Sequence, residues 1–247
     1  MNKIRLAIYF APHPESQLAT EAADWLGRNA YKPLEAHKPK LSPLSEERLI
    51  ELTRGPYHYG FHGTIKPPFK LVRGVTIEQV ANRLEDFTRD QESFLLPDLE
   101  VQYLHNFFCL KPKRALDRLN ELASEVVCVF DDLRMPASSG ELARRRAVGL
   151  TPRQEELLLE WGYPYVMDEF RFHMTLTGKV GEVREKKLIE RELTEKFTNE
   201  ICSGVVFDGL SLFIEINHSP LTQIKFFPFK GNKGTKPQYD KKHERVF

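Results

Sequence analysis

Two segments of this chain repeat one another, and the elements that follow each come in the same order. YGFHGTIKPPF (59–69) and FRFHMTLTGKV (170–180) each set a histidine and a threonine two residues apart inside an apolar run. Successive side chains of a strand point to opposite faces, so residues i and i+2 share one face. The alternation therefore predicts Phe61, Gly63 and Ile65 on a buried side, with His62, Thr64 and Lys66 opposite. In the second copy it predicts Phe172, Met174 and Leu176 inward, and Arg171, His173, Thr175 and Thr177 outward.

A single copy would constrain little, because a histidine among aromatics is usually a satisfied structural residue. Two copies with the same sequel constrain a great deal. After His62 come a break at Pro67-Pro68, a helical stretch over 76–90 and apolar runs over 94–101 and 103–110. After His173 come a break at 178–181, a helical stretch over 183–198 and runs over 205–216 and 222–229. Asn106 and Asn217 follow their histidines at the same distance, a match that chance alone can also give. The pattern is that of a diverged internal duplication with one H-x-T strand per half.

Around these halves, Ile4–Phe10 reads as a strand and 15–28 as a helix. The polar stretch 30–56, with Pro33, Pro39 and Pro43, is expected to wrap the surface around a short helix at 45–52. Helical spacing over 115–130 carries the chain toward the second half. An insertion over 134–165 holds Arg144-Arg145-Arg146 and a helix near 153–161. The fold class this predicts is α+β: two pseudo-symmetric sheet-plus-helix lobes facing a central cleft, the first over about 57–113 and the second over about 165–229. Both belong to one domain over 1–229, followed by a basic tail over 230–247 that is expected to be mobile.

Composition narrows the functional classes. The formal net charge of +1 gives no global electrostatic drive toward nucleic acid or membrane. Cys109, Cys128 and Cys202 show no C-x-x-C spacing and read as buried free thiols in a reducing compartment. The apolar run before Pro12 is too short for a signal-peptide core, and no segment approaches the roughly 20 apolar residues that cross a bilayer. The expected location is the cytoplasm. No G-x-S-x-G elbow or G-x-x-x-x-G-K-[ST] phosphate loop occurs, and 231–236 has a linker's composition. His58 and His62 stand four apart, but Tyr57, Tyr59 and Gly60 speak against a helix there, so neither a metal nor a cofactor is expected.

The paired H-x-T strands resemble the two-histidine (2H) phosphoesterase superfamily, whose members include RNA 2′,3′-cyclic phosphodiesterases historically called 2′-5′ RNA ligases. YGFHGTIKPPF and ELARRRAVGLTPRQEELLLEWGYPYVMDEFRFHMTLTGKV (141–180) look like one bacterial branch, named for phosphonate metabolism and often encoded near carbon–phosphorus lyase genes. That likeness covers most of the chain. Members of the superfamily usually have fewer residues between the motifs; the extra length here lies largely in 134–165.

Two imidazoles facing across a cleft suit in-line attack at phosphorus, one accepting a proton and the other donating one. His62 and His173 are the candidate catalytic pair, and Thr64 and Thr175 the candidate donors to the non-bridging oxygens. Both imidazoles start near ~6.5, so a singly protonated pair is expected near neutrality. Lys66 and Arg171 fall on the same face and are candidate phosphate ligands, against a reading in which they snorkel to solvent. Arg144, Arg145 and Arg146 are further candidate substrate-phosphate ligands, against a reading as a solvated helix face; fanned around a helix, at most one or two could face one ligand. Tyr9, Tyr103 and His105 read equally as pocket, core or rim. The expected partner is a small phosphorylated substrate: a cyclic phosphate, a ribosyl phosphate or an RNA end. The competing reading is a non-catalytic RNA- or nucleotide-binding module, or a regulatory partner in phosphonate utilisation, recognised by salt-sensitive binding without turnover.

Overall fold

The structure, a computed structural model, describes residues 3–31, 44–202 and 204–231. Part of the expected surface wrap (32–43), nearly all of the expected tail (232–247) and the Cys202 side chain lie outside the described residues.

Seven strands form one antiparallel sheet: β1 (Ile4–Phe10), β2 (Gly63–Phe69), β4 (Leu99–Leu104), β5 (Phe107–Pro112), β6 (Met174–Thr175), β8 (Gly209–Ile216) and β9 (Thr222–Pro228). Their order is β4-β5-β6-β2-β1-β8-β9, and β3 (Phe94–Leu95) pairs separately with β7 (Val206–Phe207). Helices α1 (Gln17–Leu26), α2 (Glu46–Tyr59), α3 (Ile77–Arg89), α4 (Asp117–Val129), α5 (Ser139–Arg146), α6 (Pro152–Trp161) and α7 (Val183–Cys202) complete the α+β architecture.

The duplication survives as an exchange. The first half's hairpin, β4-β5, pairs with the second half's H-x-T strand β6, while the second half's hairpin, β8-β9, pairs with β1 beside β2. Helices cross over as well: α3 packs on β8 and β9, and α7 on β4. The lobes read from chain order are thus intertwined, because each half's apolar helix stripe is covered by the other half's hairpin. They meet where Gly63 pairs with Met174, the only register pair between β2 and β6.

Alternation holds through this seam. Leu6, Ile8 and Phe10 of β1, Ile65 of β2, Phe108 and Leu110 of β5 and Met174 of β6 enter one continuous core with Phe61, Phe172 and Leu176. Gly63 leaves room for the second half: a Cβ there would lie 2.3 Å from the Phe172 ring. The opposite face carries Tyr9, His62, Thr64, His173 and Thr175. His105 and Asn106, at the β4-β5 turn, and Asn217 and His218, after β8, all have positive φ. Asparagine tolerates that region, so the two matched asparagines occupy equivalent hairpin corners.

Local signals explain most boundaries. Ser138/Glu141 and Thr151/Gln154 form capping boxes that start α5 and α6, with Pro152 in the first turn of α6. Three readings need correction. Helix α2 runs on through Pro56 to Tyr59 and so contains His58, since buried Leu49, Leu52 and Pro56 hold that face against the core. The second H-x-T strand is reduced to Met174–Thr175, with Arg171 to His173 in irregular backbone before it. Cys109 is buried, whereas Cys128 is an exposed thiol on α4. Among the described residues, no helix is long and apolar enough to cross a membrane.

Candidate active site

Antiparallel pairing at Gly63–Met174 sets His62 diagonally across from His173, each beside the other strand's threonine. Each imidazole is held alike. His62 Nδ1 lies 2.8 Å from the Gly60 carbonyl, and His173 Nδ1 lies 2.8 Å from the Arg171 carbonyl. A carbonyl can only accept, so both Nδ1 atoms carry hydrogen and both Nε2 atoms present a lone pair. Gly60 can present its carbonyl this way because its φ is +74°, and a Cβ there would meet Ala30 at 2.5 Å.

The surroundings then diverge. His62 stacks on Tyr9, with centroids 3.8 Å apart, and Phe213 and Tyr59 flank it at 6.4 and 6.2 Å. The Thr64 hydroxyl donates to His62 Nε2 at 3.0 Å. Burial pushes the His62 imidazole down to about 4, the Gly60 carbonyl opposes this, and the charge of His173 adds to the depression. His173 also falls below its ordinary value through burial, opposed by the Arg171 carbonyl and assisted by His105 and Lys111. Among the described residues its ring has one aromatic neighbour, Phe107 at 5.8 Å. Burial thus favours the neutral form of both imidazoles, and among the described residues neither ring meets an acidic partner that would offset it.

The remaining candidates separate. Lys66 is 2% exposed: its ammonium donates to the Val127 carbonyl at 3.0 Å and lies 3.7 Å from Asp131, so it neither snorkels nor borders the two imidazoles directly. Burial lowers it to about 8 against the pull of Asp131. Arg171 is exposed and turns back to the carbonyls of Asp168 and Phe170. Thr177 is buried, accepting from the Phe108 amide and donating to the Gly178 carbonyl, which is a structural post. Of the arginine triplet, Arg146 is paired with Glu155, Arg144 is exposed, and Arg145 alone turns inward, its guanidinium 4.6 Å from the Tyr163 ring centroid. Tyr103 donates to the Val180 carbonyl at 2.6 Å and belongs to the frame.

Sequence reading did not find Tyr163, or the cluster in which Arg5 and His58 both contact Glu215. Arg5 and Glu215 are cross-strand partners on the same face as Tyr9, and Arg5 holds the buried carboxylate below its usual range although burial alone would raise it. Strand alternation puts Arg5 and Tyr9 together; nothing in the sequence announces β8 as their neighbour. Among the described residues, no three His, Cys, Asp or Glu side chains gather as metal ligands.

Fold and site together define a class of protein: an antiparallel α+β frame in which two duplicated H-x-T strands meet and share one polar face. The chain belongs to the family described as "Protein of unknown function (DUF1045)", which it matches over residues 64–221. It is 38% identical over 231 residues to the "Ribose 1,5-bisphosphate phosphokinase PhnN" of Janthinobacterium sp. (strain Marseille), covering 92% of this chain and 51% of that protein. The same-named protein of Laribacter hongkongensis (strain HLHK9) is 32% identical over 213 residues, covering 86% and 48%. The chain thus spans about half the length of these curated relatives. Among solved structures it is similar to E. coli LigT complexed with 3′-AMP, with 14% identity and a TM-score of 0.39 over 91% of this chain and 97% of that one.

Proposed function

We propose that this chain is a metal-independent phosphoesterase that opens a cyclic phosphodiester, or cleaves a related small phosphorylated sugar or nucleotide, by paired-histidine acid–base catalysis. The observation that carries the reading is the antiparallel seam, which brings two Nδ1-anchored imidazoles and two threonine hydroxyls to one face. Relatives named for a ribose bisphosphate, and the resemblance to a phosphonate-metabolism branch, favour a phosphorylated sugar among the candidates.

In this mechanism the lower pKa makes His62 the base and His173 the acid. A phosphodiester anion held between the rings offsets the burial that keeps them neutral, and the more readily protonated His173 takes up the proton. The Thr64 hydroxyl turns from His62 Nε2 to a non-bridging oxygen, which frees that nitrogen; Thr175 serves the other oxygen. His62 Nε2 then removes a proton from water as its oxygen bonds to phosphorus. His173 gives its proton to the departing oxygen as the opposite P–O bond breaks.

The test is hydrolysis of 2′,3′-cyclic nucleotides, 5-phosphoribosyl 1,2-cyclic phosphate and a 2′-5′ dinucleotide with EDTA present, by the wild type and by His62→Ala and His173→Ala. Turnover of at least one compound, lost in both variants, is the expected result. Full activity in both variants overturns the mechanism, and salt-sensitive binding without turnover favours a binding module.

A further inference from the structure

We propose that the recess beside β2 headed by Arg145 is a second anion site, which seats a terminal phosphate monoester of the substrate whose phosphodiester lies between His62 and His173. This deepens the function proposed above and rests on it. Lys66, Arg134, Arg145, Val127 and Trp161 are among the walls of the recess, whose empty space of about 280 Å³ includes open solvent.

Its charge is out of balance. Asp131 serves two of the three cations: it pairs with Arg134 at 2.7 Å and lies 3.7 Å from Lys66. Arg134 also donates to the Glu160 carbonyl, and Lys66 to that of Val127. Arg145 has no such partner: among the described residues, its guanidinium meets only the Tyr163 ring face. The acid within its electrostatic reach, Glu141, is taken by Lys70 and by the Ser138 amide and hydroxyl. Three cations against one carboxylate leave two positive charges, which match a dianionic phosphate monoester better than a carboxylate. A guanidinium already half-desolvated and held flat on an aromatic ring has lost most of its freedom before a ligand arrives. Burial lowers the Arg145 pKa for the same reason, and an arriving dianion would reverse that.

Position ties the recess to the histidines. Lys66, on the wall of the recess, follows Thr64 on β2 by two residues, which a strand spaces about 6.6 Å apart, although a register shift opposite Ile8 and Tyr9 interrupts the alternation between them. Arg145 is within electrostatic reach of Arg5 and Tyr59, and Tyr163 of Tyr9, the ring that stacks on His62. A pentose with a phosphate at each end spans about such a distance. Helix α5, which carries Arg145, starts at its own capping box within the 134–165 insertion, so the insertion brings the cation to the site.

The experiment compares kcat/KM for 5-phosphoribosyl 1,2-cyclic phosphate and for ribose 1,2-cyclic phosphate in the full chain. The wild type is expected to prefer the phosphorylated compound at least tenfold. Arg145→Gln should shrink that ratio at least tenfold, mostly through KM for the phosphorylated compound, and Arg145→Lys should regain part of it. Exposed Arg144→Gln should leave the ratio within twofold. A ratio unchanged in Arg145→Gln, or no preference in the wild type, overturns the proposal. Should the wild type hydrolyse neither compound, the phosphoesterase reading fails separately, and calorimetric binding of ribose 5-phosphate decides the recess. Binding weakened at least tenfold by Arg145→Gln upholds the anion site; equal binding, or none by the wild type, overturns it.

Discussion

His62 and His173 sit in the same motif and share the same carbonyl anchor, yet they enter their strands differently. His62 follows the last turn of α2 and lies on Tyr9, with its Nε2 already engaged by Thr64. His173 arrives from irregular backbone, just before a strand two residues long, with Phe107 at its edge. Even the residues between histidine and threonine differ: Gly63 leaves space that the Phe172 ring fills, while Met174 is itself buried in the core. Duplication thus preserved the motif while packing made the two imidazoles unequal, an inequality the proposed acid and base roles would use.

The comparison breaks most readily at the histidines themselves. His62→Ala and His173→Ala are each expected to reduce kcat/KM by roughly 10²–10⁴-fold, and the wild-type pH profile should be bell-shaped. If the roles are as assigned, His62→Ala flattens the acidic limb and His173→Ala the basic limb; the reverse pattern exchanges the roles. Next comes Gly63→Ala, whose methyl must displace the Phe172 ring. A cost of about 1–3 kcal/mol is expected in denaturant unfolding, and Phe172→Leu should relieve part of it.

Protonation sharpens the contrast in stability. His62 has an ordinary pKa near ~6.5 and about 4 in the fold, so between those values the unfolded chain binds the extra proton. Its contribution is complete above the upper value and is lost as pH falls toward the lower, with a slope of at most about 1.4 kcal/mol per pH unit. Unfolding midpoints of His62→Gln should lack that part of the slope between pH 4 and 6.5, and His173→Gln should change it less. The smallest effect is expected at Thr177, where Thr177→Val leaves the Phe108 amide without its acceptor. A loss of about 1 kcal/mol with little change in kcat would confine this residue to the frame.

Much of this was legible in the sequence wherever period-2 alternation operates. Phe61, Ile65, Phe172, Met174 and Leu176 lie where alternation puts them, and the four H-x-T side chains share a face. The matched asparagines at the hairpin corners were visible as a spacing before their backbone explained it. What could not be read is which strand neighbours which. Nothing local records that β5 pairs with β6, or that α3 covers the other half's hairpin, because those choices depend on contacts far apart in the chain. Lys66 shows the other limit. Alternation puts it on the His62 face, but a register shift after Thr64 sets it opposite the core residue Ile8, and the Val127 carbonyl and Asp131, which hold it, come from the helix α4 and the turn after it.

The exchange of helices and hairpins also governs how this molecule can come apart. With α3 clasped on β8-β9 and α7 on β4, the halves are linked as two hooks are, and a single backbone cut in the loop between α4 and α5 would leave every one of those clasps in place. Such a nicked protein should still sediment as one particle, whereas either half made alone would expose an uncovered hairpin and an unpartnered helix stripe. The seam at Gly63–Met174 joins contributions from both halves, so the polar face exists only once both have been laid down. Any activity housed there is a report that folding has finished.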